Sequence, residues 1–227
     1  MDGDNFVITT EDSPRDIDFS STASDAPDGT RPTIDGVNSD SWANRSISFT
    51  DGVSGNIPVV LYNAESSVTI TAGDDSGTPT LAGISSSEVT VNFGSLNQFA
   101  FVMASPQRDG YTVTGVNTIT AQDVYQNVVT NFNAATNTVT VTRSTGPGTV
   151  TITGLGSANN NVLNQASDFV NGVADLTAQS MAIDVSITGN YTLVATSSVT
   201  PARSGISNSF AVNRVVEISN PTPRLVL

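Results

Sequence analysis

Thr138-Val139-Thr140-Val141-Thr142 places an apolar side chain at every second position, and the same two-residue period runs through Ser67-Val68-Thr69-Ile70-Thr71 and Tyr191-Thr192-Leu193-Val194-Ala195. Successive side chains of a strand point to opposite faces, so each stretch reads as a strand with one buried and one wet face. The wider composition agrees. Ser, Thr and Asn make up 79 of 227 residues and Val alone 27, and β-branched side chains fit a pleated surface better than a helix. Between these runs lie turn signals. Asp51-Gly52 and Asn171-Gly172 sit between apolar positions, the dipeptides that tolerate the positive φ of a two-residue hairpin. Gly146-Pro147-Gly148, the stretch Asp25 to Gly29 and Asp74-Asp75-Ser76-Gly77 are further turn chemistry, and the longest loop is expected from Gly156 to Ser167. Short strands punctuated in this way predict an all-β sandwich, and 37% hydrophobic residues suffice to fill its core.

The chain also resembles itself. Phe49-Thr50-Asp51-Gly52-Val53 matches Phe169-Val170-Asn171-Gly172-Val173 at an offset of 120, and the blocks that follow keep step to Val91 and Val212 at an offset of 121. Upstream, the block Thr33 to Val37 matches Thr151 to Leu155, and Ile8 to Phe19 matches Ile119 to Phe132. Four blocks in one order predict two repeats, each the size of a sandwich domain. The expected division is 1–91, an acidic and irregular repeat lacking its first strand; 92–213, a complete repeat opening at Leu96 to Met103; and 214–227, a linker and the first strand of a following repeat. This phase suggests a segment of a longer array. Its rival is a chain whose Arg224-Leu225-Val226-Leu227 strand completes a neighbouring molecule.

The block Asp123-Val124-Tyr125-Gln126-Asn127-Val128-Val129-Thr130 resembles the strand and turn of bacterial immunoglobulin-like repeats, found in invasin/intimin-like adhesins and in the filamin-like repeats of large surface proteins. Phe169 to Ala174 and Gly189 to Thr196 resemble two further strands of the same repeats. The likeness is weaker in the first repeat, where Pro14 and Asp16 replace the tyrosine and the asparagine. It implies tandem immunoglobulin-like β-sandwich domains in a stalk or display role, at a cell surface or outside the cell, with no catalytic residues.

Composition limits the chemistry independently. All eight basic residues are arginine, and the chain has no Lys, His or Cys, which removes thiol and imidazole nucleophiles, Schiff-base lysines, zinc sites of the usual kind and disulfides. A net charge of −13 repels phosphate, so nucleic acid is not an expected partner. No apolar run is long enough for a membrane helix, and Met1-Asp2-Gly3-Asp4 does not open a leader peptide. Carboxylates remain. Asp16 with Asp18, Asp123, and Asp168 with Asp175 read as solvated or turn-fixing groups rather than a glycosidase pair. No cofactor is called for. Calcium is the one ion that the oxygen-rich stretches suit, and Asp2, Asp4, Asp25, Asp28, Asp74 and Asp75 are its candidate ligands, although no EF-hand spacing is present.

Trp42, Tyr62, Tyr111, Tyr125 and Tyr191 offer either a sugar-stacking platform or core anchors, and the core is the expected place. The expected core is Ile70, Val89, Val91, Phe99, Phe101, Ile119, Phe132, Val139, Val141, Val173, Leu176, Leu193, Phe210 and Val212. Partners would be neighbouring repeats of the same chain and a surface glycan or protein ligand. The acidity is local: residues 1–91 hold fifteen Asp and Glu against three Arg, net −12, and residues 92–227 hold six against five, net −1. A cation-binding or charged display face is therefore sought in the first repeat.

Overall fold

The computed structural model describes residues 14–74 and 81–214. Apart from two single-turn 3₁₀ segments, Ser39–Ser41 and Ala166–Asp168, its regular structure is β throughout, as alternation and β-branching dictate. The chain forms two units, Met1–Gly94 with Asp123–Asn127, and Ser95–Gln122 with Val128–Leu227. Asp2, Asp4, Asp75 and the tail Arg224 to Leu227 lie outside the described residues.

Unit 1 runs through β1 (Arg15–Ser21), β2 (Thr33–Ile34), β3 (Val37–Asn38), β4 (Arg45–Ile47), β5 (Phe49–Thr50), β6 (Val53–Ser54), β7 (Val59–Val60), β8 (Ile70–Asp74) and β9 (Leu81–Ser85). Its main sheet has the order β4-β1-β8-β9 and a smaller one the order β3-β2-β7, all antiparallel. β1 serves two partners in turn, Arg15 to Ile17 facing β4 and Asp18 to Ser21 facing β8. The β5–β6 hairpin closes on Asp51-Gly52, with φ of 50° and 74°. Positive φ at both central residues is a type I′ turn, whose twist matches that of the strands. The apolar core among the described residues is Ile17, Ala26, Ile34, Trp42, Ile47 and Val68.

Unit 2 runs through β10 (Gln98–Val102), β11 (Gln107–Arg108), β12 (Tyr111–Thr112), β13 (Thr118–Gln122), β14 (Val139–Thr145), β15 (Val150–Thr153), β16 (Val162–Leu163), β17 (Val173–Asp175), β18 (Ala182–Val185), β19 (Gly189–Ser197), β20 (Ser204–Ile206) and β21 (Phe210–Asn213). One sheet is β10-β13-β17, a second β11-β21-β19-β14-β16 with β20 on β19, and a third β12-β18-β15. The first two strands of the unit join different sheets. β10 runs antiparallel to β13, and after it β11 joins β21 in parallel. Alternation buries Phe99 and Phe101 of β10, Ile119 and Ala121 of β13, Val139 and Val141 of β14, and Tyr191, Leu193 and Ala195 of β19. Phe132 stands edge-on to Phe99 and to Phe169, with ring centroids 5.5 Å and 4.7 Å apart, a geometry favoured by the ring quadrupoles. Gly205 of β20 is obligatory, because a Cβ there would lie 1.9 Å from the Phe99 carbonyl oxygen.

Tyr191 marks the fold most plainly. It lies near the start of the long strand β19, is almost wholly buried, and shares its hydroxyl proton between the carbonyls of Pro147, at 2.8 Å, and of Ile187, four residues upstream. A tyrosine so placed, tied back to the backbone just before its own strand, is the corner of immunoglobulin-like sandwiches.

Several expectations need correction. Val89 is 43% exposed although its bridge partner Val68 is buried: the two meet in an isolated bridge outside the named strands, and pairing does not itself cover a side chain. Ile70, Val91 and Val173 are half-buried. The stretch from Gly156 to Ser167 is not one loop: it carries β16, paired with β14. The matched blocks at Thr33 and Thr151 differ locally. Asp35-Gly36 forms a two-residue turn between β2 and β3, whereas Gly154 leads from β15 into the longer excursion closed by the Leu155–Asn160 bridge.

Candidate functional site

The predicted oxygen donors go separate ways. Asp74 ends β8 with its carboxylate buried, 2.7 Å from the Arg15 guanidinium on the neighbouring strand β1. The sequence placed it in a solvated turn; the cross-strand arginine that makes its burial tolerable lies 59 residues away. Asp25 is half-exposed, 3.6 Å from Arg31, and Asp28 accepts the Thr30 N–H at 2.8 Å in its own turn. Arg31 also meets Asp40, and Arg45 lies 3.4 Å from Asp35. The acidic face of unit 1 is thus threaded by its own arginines. Among the described residues, no three carboxylates gather in an arrangement suited to a metal ion.

Three carboxylates of unit 2 serve the backbone. Asp168 caps the Ala166–Asp168 turn by accepting from the Asn164 and Gln165 N–H groups, and Asp175 accepts from Thr177 and Ala178. Asp109 accepts from the Val185 N–H and from Arg214, both at 2.9 Å. The Val185 bond, with Arg214 in support, outweighs burial and lowers its pKa below the usual carboxylate value.

Trp42 is buried, 6% exposed, just after the first 3₁₀ turn, and its indole N–H donates to the Val37 carbonyl at 2.8 Å. Tyr191 is buried as well, but Tyr62 and Tyr125 are only half-buried, so the core takes two of the five aromatics expected inside. Tyr111 differs: it is 49% exposed on β12, with the Arg108 guanidinium 4.3 Å above its ring, the geometry of a cation–π pair.

Of two buried polar constellations, one was foreseen in part and the other not at all. Asp123 and Asn127 were read as a turn-fixing pair. Asp123 Oδ1 does accept the Tyr125 and Asn127 N–H groups at 2.9 Å, while Oδ2 accepts the Gly94 N–H at 2.8 Å and the Asn127 amide at 3.0 Å. Burial by itself would raise the Asp123 pKa, but the Asn127 side chain and these N–H groups overcome it and the net shift is downward. The other constellation had no sequence signal. Gln107, fully buried, donates to the carbonyls of Ala104 and Thr114 and accepts the Thr114 N–H, and buried Asn117 ties Ala104, Thr114 and Thr177. Neither residue lies in a recognisable motif, since glutamine and asparagine are ordinarily surface residues.

No protein-family model matches the chain, and no curated protein matches it. Solved structures show distant likeness. The D00-D0 domain of intimin is 15% identical at a TM-score of 0.38, covering 88% of this chain and 86% of that one. Mouse cadherin-23 EC22-24 is 14% identical at a TM-score of 0.27, with 90% and 65% covered, and the protocadherin gammaB7 EC3-6 cis-dimer structure is 16% identical at 0.24, with 90% and 50% covered. These likenesses are too slight to carry an argument. The immunoglobulin-like β-sandwich assignment rests on the chain's own ladders and on the Tyr191 corner.

Proposed function

We propose that this chain is a non-catalytic structural and adhesive segment of a cell-surface or secreted repeat protein, extending or displaying a binding region. The observation that carries the reading is that the regular structure of each unit is β, with polar side chains spent on fixing turns and strand ends. Asp109, Asp168, Asp175, Gln107 and Asn117 each hold backbone groups in place. Such sandwiches resist extension because a pull must break a ladder before it lengthens the chain. The test is single-molecule stretching of the chain between handles. Two discrete unfolding events are expected, each releasing about 3.4 Å per unfolded residue; smooth extension without a resolvable event would overturn the mechanical reading.

A second reading is favoured by one observation. The exposed Tyr111 under Arg108 is the kind of aromatic surface on which a glycan or protein loop stacks. A glycan or protein ligand held there predicts binding that Tyr111→Ala abolishes while the melting temperature stays put. Calcium at the unit 1 acids remains a proposal of the sequence. It predicts a rise in melting temperature with millimolar Ca²⁺ that chelator reverses.

A further inference from the structure

The first unit is not continuous in sequence. It consists of the first 94 residues and a five-residue piece, Asp123–Asn127, that the chain reaches only after β10 and β13. The contacts of that piece within unit 1 are specific. The Asn127 side-chain amide donates to the Tyr62 carbonyl at 2.8 Å and accepts the Ala64 N–H at 2.9 Å. One side chain thereby supplies both halves of a ladder rung to a stretch that lies outside the strands of the described residues. The Tyr125 ring stands edge-on to Tyr62, centroids 4.8 Å apart, and the Tyr125 carbonyl accepts the Asp28 N–H at 3.3 Å. Asp123 takes the Gly94 N–H, and its remaining bonds hold Asn127 in the pose that reaches Tyr62.

Three segments of unit 1, at Asp28, Tyr62 to Ala64 and Gly94, therefore meet one short piece of chain. Buried backbone groups left without partners cost about 1–3 kcal/mol each, and Asn127 and Asp123 are both buried. We propose that residues 123–127 act as a strap whose seating completes unit 1, so that the order of unit 1 is conditional on a segment made later in the chain. The strap is a device of the fold and holds whatever the chain's biological role. Its consequence is directional: loosening it weakens unit 1 and leaves the ladders of unit 2 intact.

The only tryptophan, Trp42, is buried in unit 1 and reports that unit alone. In the full chain, Asn127→Ala is expected to lower the denaturant midpoint read by Trp42 fluorescence and to speed amide exchange at Ala64 about tenfold or more. Exchange at Val141 in β14 and Leu193 in β19 should stay unchanged. Tyr125→Ala, which keeps both amide bonds, gives a milder shift of the same sign and serves if Asn127→Ala does not fold. Val124→Ser, at an exposed strap position, should leave Trp42 unmoved. The proposal is overturned if neither Asn127→Ala nor Tyr125→Ala shifts the Trp42 midpoint or Ala64 exchange. Equal loss of protection in β14 and β19 overturns it too, since the piece would then be an ordinary part of a single cooperative unit.

Discussion

At the scale of single residues, Tyr191 and Asp123 show how a polar atom becomes structural once it is buried. Tyr191→Phe keeps the ring but removes the proton that the Pro147 and Ile187 carbonyls share, and both of those residues are exposed to water. A loss of about 0.5–1.5 kcal/mol is expected, read from equilibrium denaturation followed by amide exchange in β19. The ionisable groups make a second prediction. Asp109 and Asp123 are both held below their usual pKa. A carboxylate with a depressed folded pKa contributes stability that is fully present above its unfolded value, about 4, and is lost as pH falls through the folded pKa. Stability should therefore decline below about pH 4. Between about pH 6 and 8 it should be nearly flat, since the chain has no His or Cys to titrate there. A melting temperature that varied by many degrees between pH 6 and 8 would contradict this.

At the scale of elements, the hairpins carry the clearest link from sequence to structure. Asp51-Gly52 and Asn171-Gly172 were legible as turns because only a few residues accept positive φ, and both adopt it. Asp35-Gly36 is the same signal, missed because the strands it joins are two residues each and show no periodicity. The two glycines differ in what surrounds them. Gly36→Ala meets open space and should cost only the left-handed backbone penalty of about 1–2 kcal/mol. Gly172→Ala would also set a Cβ 2.6 Å from the Val129 carbonyl oxygen, so its denaturation midpoint should fall further than that of Gly36→Ala. The strands β14 and β19 were visible as alternation, yet alternation assigns residues to faces without saying which face is covered. Val89 carries the period and is exposed; Asp74 carries a charge and is buried.

At the scale of the whole molecule, the −12 charge of residues 1–91 predicts a salt effect confined to unit 1. Added salt screens repulsion between exposed carboxylates within a Debye length of about 10 Å at 0.1 M. Raising ionic strength from 10 to 300 mM, as a rough range across that length, should therefore move the Trp42-reported midpoint upward. Exchange protection in β14 and β19 should respond less, and an equal response would mean the acidity is not felt locally. The arginines at positions 15, 31 and 45 already pair with acids there, which limits the size of the shift.

By itself the sequence determined the class of structure and the positions of its sharpest turns. Period-two alternation, β-branching and Asn-Gly or Asp-Gly pairs act through the residues beside them, so they are readable one window at a time. The absence of Lys, His and Cys likewise set the chemistry available. The tertiary structure alone decided which face each strand buries, that Arg15 makes the burial of Asp74 tolerable, and that Asn127 completes a rung 65 residues back at Tyr62. Those outcomes depend on partners brought together from distant positions, where the cost of an unpaired polar group exceeds any local preference and no window of sequence contains both halves of the bond.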